Sequence, residues 1–126
     1  MSLIDLKGKV AVVTGASQGL GEALAQRLDA EGCKVAVCDI NYDGAQAVAS
    51  KLNDAMALAV DVTKYDQLEA AAKEKKKKWG QVDVLICNAA IVKSGDIFNL
   101  SPEAFGLVTN INLNGYFNTV KAFAPY

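Results

Sequence analysis

Histidine is absent from this chain, which removes the side chain most often used as a general base near neutral pH and the usual imidazole ligand for metals. Cysteine is scarce. Cys33, Cys38 and Cys87 are odd in number, lie in or beside apolar segments and form no Cys-x-x-Cys pair. Neither a disulfide framework nor a zinc knot is expected, and reduced core packing is. No metal site is expected either. Charge of one sign is missing, because 13 basic side chains face 14 acidic ones, so no global field exists to attract nucleic acid or an anionic membrane surface. There is no apolar run of roughly 20 residues that could span a bilayer, and no charged-then-apolar leader. A cytoplasmic protein is expected. Repeats, low-complexity tracts and linkers are also lacking, so residues 1–126 are expected to form one domain.

What is present is 52% hydrophobic residues in alternating periods. Lys9 to Thr14 (KVAVVT) is a short apolar run bounded by glycines, the pattern of a strand buried on both faces of a parallel sheet. Leu20, Leu24 and Leu28 then recur every fourth residue, predicting a helix over 21–31 that Gly32 ends in a left-handed C-cap. Lys34 to Asp39 is a second strand, and Ala45, Val48, Ala49 and Leu52 mark a second helix. Ala55 to Val60 is a third strand candidate. Thr63 with Asp66 suggests a capping box opening a helix that runs to Trp79 and stops at Gly80. Val82 to Cys87 is the fourth strand. Ser101, Pro102 and Glu103 open a further helix with Phe105, Val108, Asn112 and Gly115 on its inner stripe, an amide and a glycine where leucines would be expected. Strands alternating with helices predict an α/β doubly wound parallel sheet of Rossmann type, ending after the fourth strand and its following helix.

The first strand leads directly into Thr14-Gly15-Ala16-Ser17-Gln18-Gly19-Leu20-Gly21. A dinucleotide pyrophosphate needs a tight turn, a backbone free of Cβ atoms and unpaired N–H groups at a helix N-terminus. Gly15, Gly19 and Gly21 can supply these, although the spacing GxxxGxG differs from the generic GxGxxG, and the missing GxxxxGK excludes a P-loop. Asp39 ends the second strand twenty positions after Gly19, where a carboxylate can accept hydrogen bonds from a ribose diol and would repel a 2′-phosphate. Positions 17, 18, 40 and 41 carry no Arg or Lys, so NAD(H) is expected over NADP(H). The alternative for these residues is a plain turn and a solvated strand end.

On these residues the chain resembles the short-chain dehydrogenase/reductase family, whose cofactor loop has the form TGxxxGxG found from Thr14 to Gly21. Asp61-Val62-Thr63 matches the motif after the third strand, Asn88-Ala89-Ala90 resembles the family's NAG, and Ile111-Asn112-Leu113-Asn114-Gly115 resembles its VNLxG segment. The resemblance implies cofactor contacts from Gly15, Ser17, Gln18, Gly19, Leu20, Gly21, Asp39, Ile40, Asp61, Val62, Asn88, Ala89, Ala90 and Ile111. It makes Asn112 the match for the catalytic asparagine, which in the family interrupts a helix and takes part in a proton relay. It also implies a serine and a Tyr-x-x-x-Lys pair that cannot be placed here: Tyr42, Tyr65 and Tyr116 lack a lysine four residues on, and Tyr126 is the last residue.

The resemblance covers the whole of this chain but about the N-terminal half of a family member. The function it implies is an NAD(H)-dependent oxidoreductase of alcohols or carbonyls, with sugars or polyols as candidates, for which this chain supplies the cofactor-binding half. The rivals are a nucleotide-binding fragment without redox activity, half of an enzyme completed by another chain, and a Rossmann-like structural protein. An open sheet edge and an uncovered helix face favour association, either as a homo-oligomer or with a complementary chain. Lys73 to Lys78 is read as a solvated helix face, Trp79 as a packing anchor, and Asn110, Asn114 and Asn118 as exposed or capping amides.

Overall fold

Residues 3–126 are described by a computed structural model. Its strands are β1 (Val10–Thr14), β2 (Lys34–Asp39), β3 (Ala55–Ala59) and β4 (Val84–Ile86). All pair in parallel in the order β3-β2-β1-β4. The helices are α1 (Gly19–Ala30), α2 (Tyr42–Ala49), α3 (Tyr65–Trp79), α4 (Pro102–Thr109) and α5 (Gly115–Phe123), with a widened π-turn at Asn110–Asn114 joining the last two. The expected Rossmann-like architecture is therefore present. Every residue of β1 is buried because the strand has a neighbour on each side and helices on both faces.

Alternation along the strands divides the core in two. Ala11 and Val13 of β1 and Val35 and Val37 of β2 point to one face, against Ala25 and Leu28 of α1 and Ala45 and Val48 of α2. Val12, Ala36, Cys38 and Leu58 point to the other, against Leu68 and Ala72 of α3 and Ala122 and Phe123 of α5. The chain reverses its winding between β1 and β4, since β2 and β3 lie to one side of β1 and β4 to the other. Ligands of such sheets bind outside the carboxyl ends of the strands at this switch point.

Several local expectations need correction. Leu20 is 68% exposed, and the inner stripe of α1 is Gly21, Ala25 and Leu28. Close packing of Gly21 on the preceding turn sets the helix's rotation and leaves Leu20 outside. Thr63 does not cap α3: its amide and hydroxyl both donate to Asp61 Oδ1 (2.9 and 2.7 Å), and the N-cap position falls on Lys64. α2 starts at Tyr42, ahead of its apolar stripe, because the Asn41 side chain caps it by accepting from the Gly44 amide. The ladder of β4 is only three residues long, since beyond Ile86 the amides of Asn88 and Ala89 turn to the Thr14 hydroxyl. Phe105 is exposed and α4 buries no residue, whereas Ser101 caps that helix as expected. Lys75 is buried within the basic run, its ammonium donating to the Gly80 carbonyl at 3.1 Å beyond the end of α3. Gly32 and Gly80 do terminate their helices at positive φ.

Candidate functional site

The turn after β1 depends on three glycines for different reasons. Gly15 has φ +64°, and a Cβ there would lie 2.8 Å from Ala89 Cα. Gly19 has φ +57° with open space around it, so backbone conformation alone requires it. Gly21 has ordinary helical geometry, but a Cβ would run into the Gly15 carbonyl and the Asn88 amide. The N-terminus of α1 is thereby brought against the end of β1, with Gln18 at the N-cap making no side-chain capping bond. Amides there lack intrahelical acceptors and favour an anion.

Asp39 closes this turn from the neighbouring strand. Its Oδ2 accepts from the Ser17 amide at 3.1 Å and its Oδ1 from the Asn41 amide at 2.9 Å. The carboxylate thus stands beside the glycine turn with both oxygens oriented by backbone. At the end of β3, Asp61 is held in turn by Thr63 through Oδ1, while its amide donates to Gln67 Oε1 at 3.0 Å.

The other wall is organised by one hydroxyl. Thr14 Oγ1, almost wholly buried, accepts from the amides of Asn88 (3.0 Å) and Ala89 (3.1 Å), and Asn88 Nδ2 donates to the Gly15 carbonyl at 3.1 Å. Farther out, Asn112 accepts from the Ile91 amide at 3.0 Å and donates to the Ile91 carbonyl at 2.9 Å. Its side-chain amide clamps the loop after β4 through one donor and one acceptor bond. The helix widens at this residue, with the Gly115 amide donating to the Asn110 carbonyl five residues back. Asn118 donates to the Val62 carbonyl at 3.0 Å, so it is neither an exposed nor a capping amide but a tie between α5 and the β3–α3 loop. Asn110 and Asn114 are exposed and bond to each other.

These walls enclose a cleft of about 550 Å³ at the carboxyl ends of all four strands. Of the residues expected to contact a cofactor, Gly15, Ser17, Gln18, Gly19, Asp39, Ile40, Asp61, Val62, Asn88, Ala89, Ala90 and Ile111 line it. Leu20 and Gly21 do not, one being turned to solvent and the other buried beneath the turn, and Asn112 acts from behind Ile91. Sequence reasoning missed Thr14, Asn41, Val60 and Ile91 as lining residues. Thr14 heads the glycine motif and Asn41 has the side chain of an N-cap, so both carried a signal; Val60 and Ile91 carried none. No Lys or Arg lines the cleft, and its two charged residues are the carboxylates Asp39 and Asp61. Beneath it, burial pushes the Cys38 thiol up to about 12, with the Asp39 charge adding to the effect, so the sulfur is held protonated. Burial also raises Cys87. Among the described residues no cluster of His, Cys, Asp and Glu could hold a metal, and no helix is long and apolar enough to cross a membrane.

The family model for short chain dehydrogenase matches residues 9–126. Sorbitol dehydrogenase of Cereibacter sphaeroides is 34% identical over 120 residues, which are 94% of this chain and 47% of the relative. The 2-dehydro-3-deoxy-L-rhamnonate dehydrogenase (NAD(+)) of Sphingomonas sp. (strain SKA58) is 36% identical over 120 residues, 94% of this chain and 48% of its own length. Among solved structures, 3-ketoacyl-(acyl-carrier-protein) reductase from Brucella melitensis, complexed with NADH, superposes with a TM-score of 0.89 at 34% identity, over 95% of this chain and 50% of that one. The chain spans about half the length of each. A match that runs from the start of β1 to the end of α5, over the same walls that form the cleft, leaves one assignment: this chain belongs to the short chain dehydrogenase family.

Proposed function

We propose that the cleft binds a nicotinamide dinucleotide, NAD(H) in preference to NADP(H), and that this chain supplies the cofactor-binding half of an oxidoreductase acting on an alcohol or carbonyl compound of the sugar or polyol class. The observation that carries the reading is the meeting of the glycine turn and the Asp39 carboxylate in one cleft, joined through the Ser17 amide. The pyrophosphate lies on the turn and the N-terminus of α1, the adenosine ribose against Asp39, and the adenine between Ile40, Asp61 and Val62. Asn88, Ala89, Ala90 and Ile111 form the wall toward the nicotinamide. Selectivity for NAD(H) rests on two carboxylates with no cation to offset a 2′-phosphate. The polyol class is supported by sorbitol dehydrogenase among the relatives. Asn112 serves by fixing Ile91 at the rim and by opening the π-turn.

When bound, the cofactor carries the hydride; the chain's own residues hold and orient it. In Asp39→Ala the hydrogen bonds to a charged acceptor are lost, and the NADH dissociation constant is expected to rise at least about tenfold while the protein stays folded. Unchanged affinity in a fluorescence titration would remove the cofactor assignment.

A second reading is favoured by the exposure of Phe105, Leu107, Leu113, Tyr116, Phe117 and Val120 together with the one-sided pairing of β4. There the chain becomes active with a complementary chain that bears the serine, tyrosine and lysine and covers that face and edge. Native mass measurement of the purified protein distinguishes the two: a single chain that binds NADH supports a binding half alone.

A further inference from the structure

Gly44 stands in the first turn of α2, where glycine costs about 1 kcal/mol relative to alanine. Its φ is not positive, so conformation does not demand it; space does. A Cβ at this position would lie 2.9 Å from Ser17 Cβ and 2.6 Å from Asn41 Nδ2. The first turn of α2 therefore packs directly on the glycine turn after β1. Four residues close a ring at this point. Asp39 receives the Ser17 amide on one oxygen and the Asn41 amide on the other, Asn41 accepts from the Gly44 amide at 3.1 Å, and Gly44 lies against Ser17.

We infer that Gly44 is a positioning residue for the dinucleotide: by lacking a Cβ it lets α2 seat the Ser17 amide and the Asp39 carboxylate where the adenosine ribose and adjacent phosphate are held. The inference rests on the cofactor reading above. Gly44 does not line the cleft and touches no ligand itself; it acts through Ser17 and Asn41. A methyl group here moves either the turn or the helix. A bidentate bracket of two backbone amides on one carboxylate tolerates a shift of a few tenths of an ångström before one bond is lost.

The test is a double-mutant cycle in the full chain, with NADH titrated well below the melting transition. Gly44→Ala is expected to raise the NADH dissociation constant about tenfold, the loss of one bond to a charged group. In a Ser17→Gly/Asn41→Ser background, where neither the Ser17 Cβ nor the Asn41 amide nitrogen it would strike is present and a hydroxyl can still cap α2, the same substitution is expected to cost less than about twofold. Equal losses in both backgrounds, or no loss in either, overturn the inference. Failure of Gly44→Ala to fold in both backgrounds also overturns it, since Gly44 would then serve the fold and not the ligand. Absence of NADH binding by the unaltered chain is a different failure: it removes the cofactor reading and this inference with it.

Discussion

Replacing Thr14 by valine keeps the shape of a buried β1 side chain and removes one oxygen. That oxygen accepts from two backbone amides, Asn88 and Ala89, which have left the β4 ladder to reach it. A buried N–H without a partner costs about 1–3 kcal/mol, and these two residues are half-buried, so water offsets part of the loss. Together they set the expected destabilisation at about 2–3 kcal/mol. For a domain of this size, near 4 °C per kcal/mol, the melting temperature should fall by roughly 10 °C. Thr14→Ser is the control. It keeps the acceptor and gives up one buried methyl, a loss of about 1 kcal/mol. Strand propensity and apolar burial alone favour valine over serine at a fully buried strand position. The two accounts therefore predict opposite orders in urea or thermal unfolding. A Thr14→Val protein as stable as Thr14→Ser, or more so, refutes the assignment of this hydroxyl as the hinge of the cleft wall.

Other substitutions follow from the same geometry. Gly21→Ala drives a Cβ into the Gly15 carbonyl and should cost about 2 kcal/mol or more, whereas Gly106→Ala, helical with nothing within 4 Å, should gain about 0.5–1 kcal/mol; urea midpoints moving in opposite directions would bear this out. Asn112→Ala releases both backbone groups of Ile91, with an expected cost of about 1–2 kcal/mol and faster hydrogen exchange at the Ile91 amide. Asn112→Asp should be worse, since a carboxylate cannot donate to the Ile91 carbonyl. The Val10 amide, and after it Gln81, holds the Asp83 carboxyl below its ordinary value of 3.8. A depressed folded-state pKa stabilises above the unfolded value and loses that contribution as pH falls through the folded one. Unfolding midpoints measured from pH 5 downward should therefore decline less steeply in Asp83→Asn than in the parent.

Local patterns that depend on one residue and its near neighbours were legible in the chain. The apolar runs of β1 and β2, the stops at Gly32 and Gly80, the Ser101 cap and the glycine turn each have a cause within a few positions. The exact rotation of α1 did not: Leu24 and Leu28 face the core as expected, but Leu20 is displaced to solvent by Gly21, whose packing partner is the preceding turn. The capping box expected of Thr63 and Asp66 did not form, because the Asp61 carboxylate two residues back accepts from both the Thr63 amide and its hydroxyl. Lys75 looked like any lysine of a charged run, but its side chain is buried and its ammonium donates to the Gly80 carbonyl just past the end of α3. The candidate site followed the same division. Residues that face the cleft from motifs were found with the exception of Thr14, whereas Ile91 is held there by a bond to Asn112, twenty-one positions away.

The placement of β4 beside β1, with β2 and β3 on the far side, has a kinetic meaning. β1 and β2 can pair once a short crossover forms, but the Thr14–Asn88 bond closes a loop of 74 positions and must wait for the chain entropy of that closure to be met. On loop-closure entropy the cleft is expected to be the last part of the sheet to form. A ligand of the cleft cannot template the early pairings; it can only trap the finished one, by mass action on the closed form. In stopped-flow refolding, added nucleotide should leave the fast phase unaltered and slow only the unfolding limb.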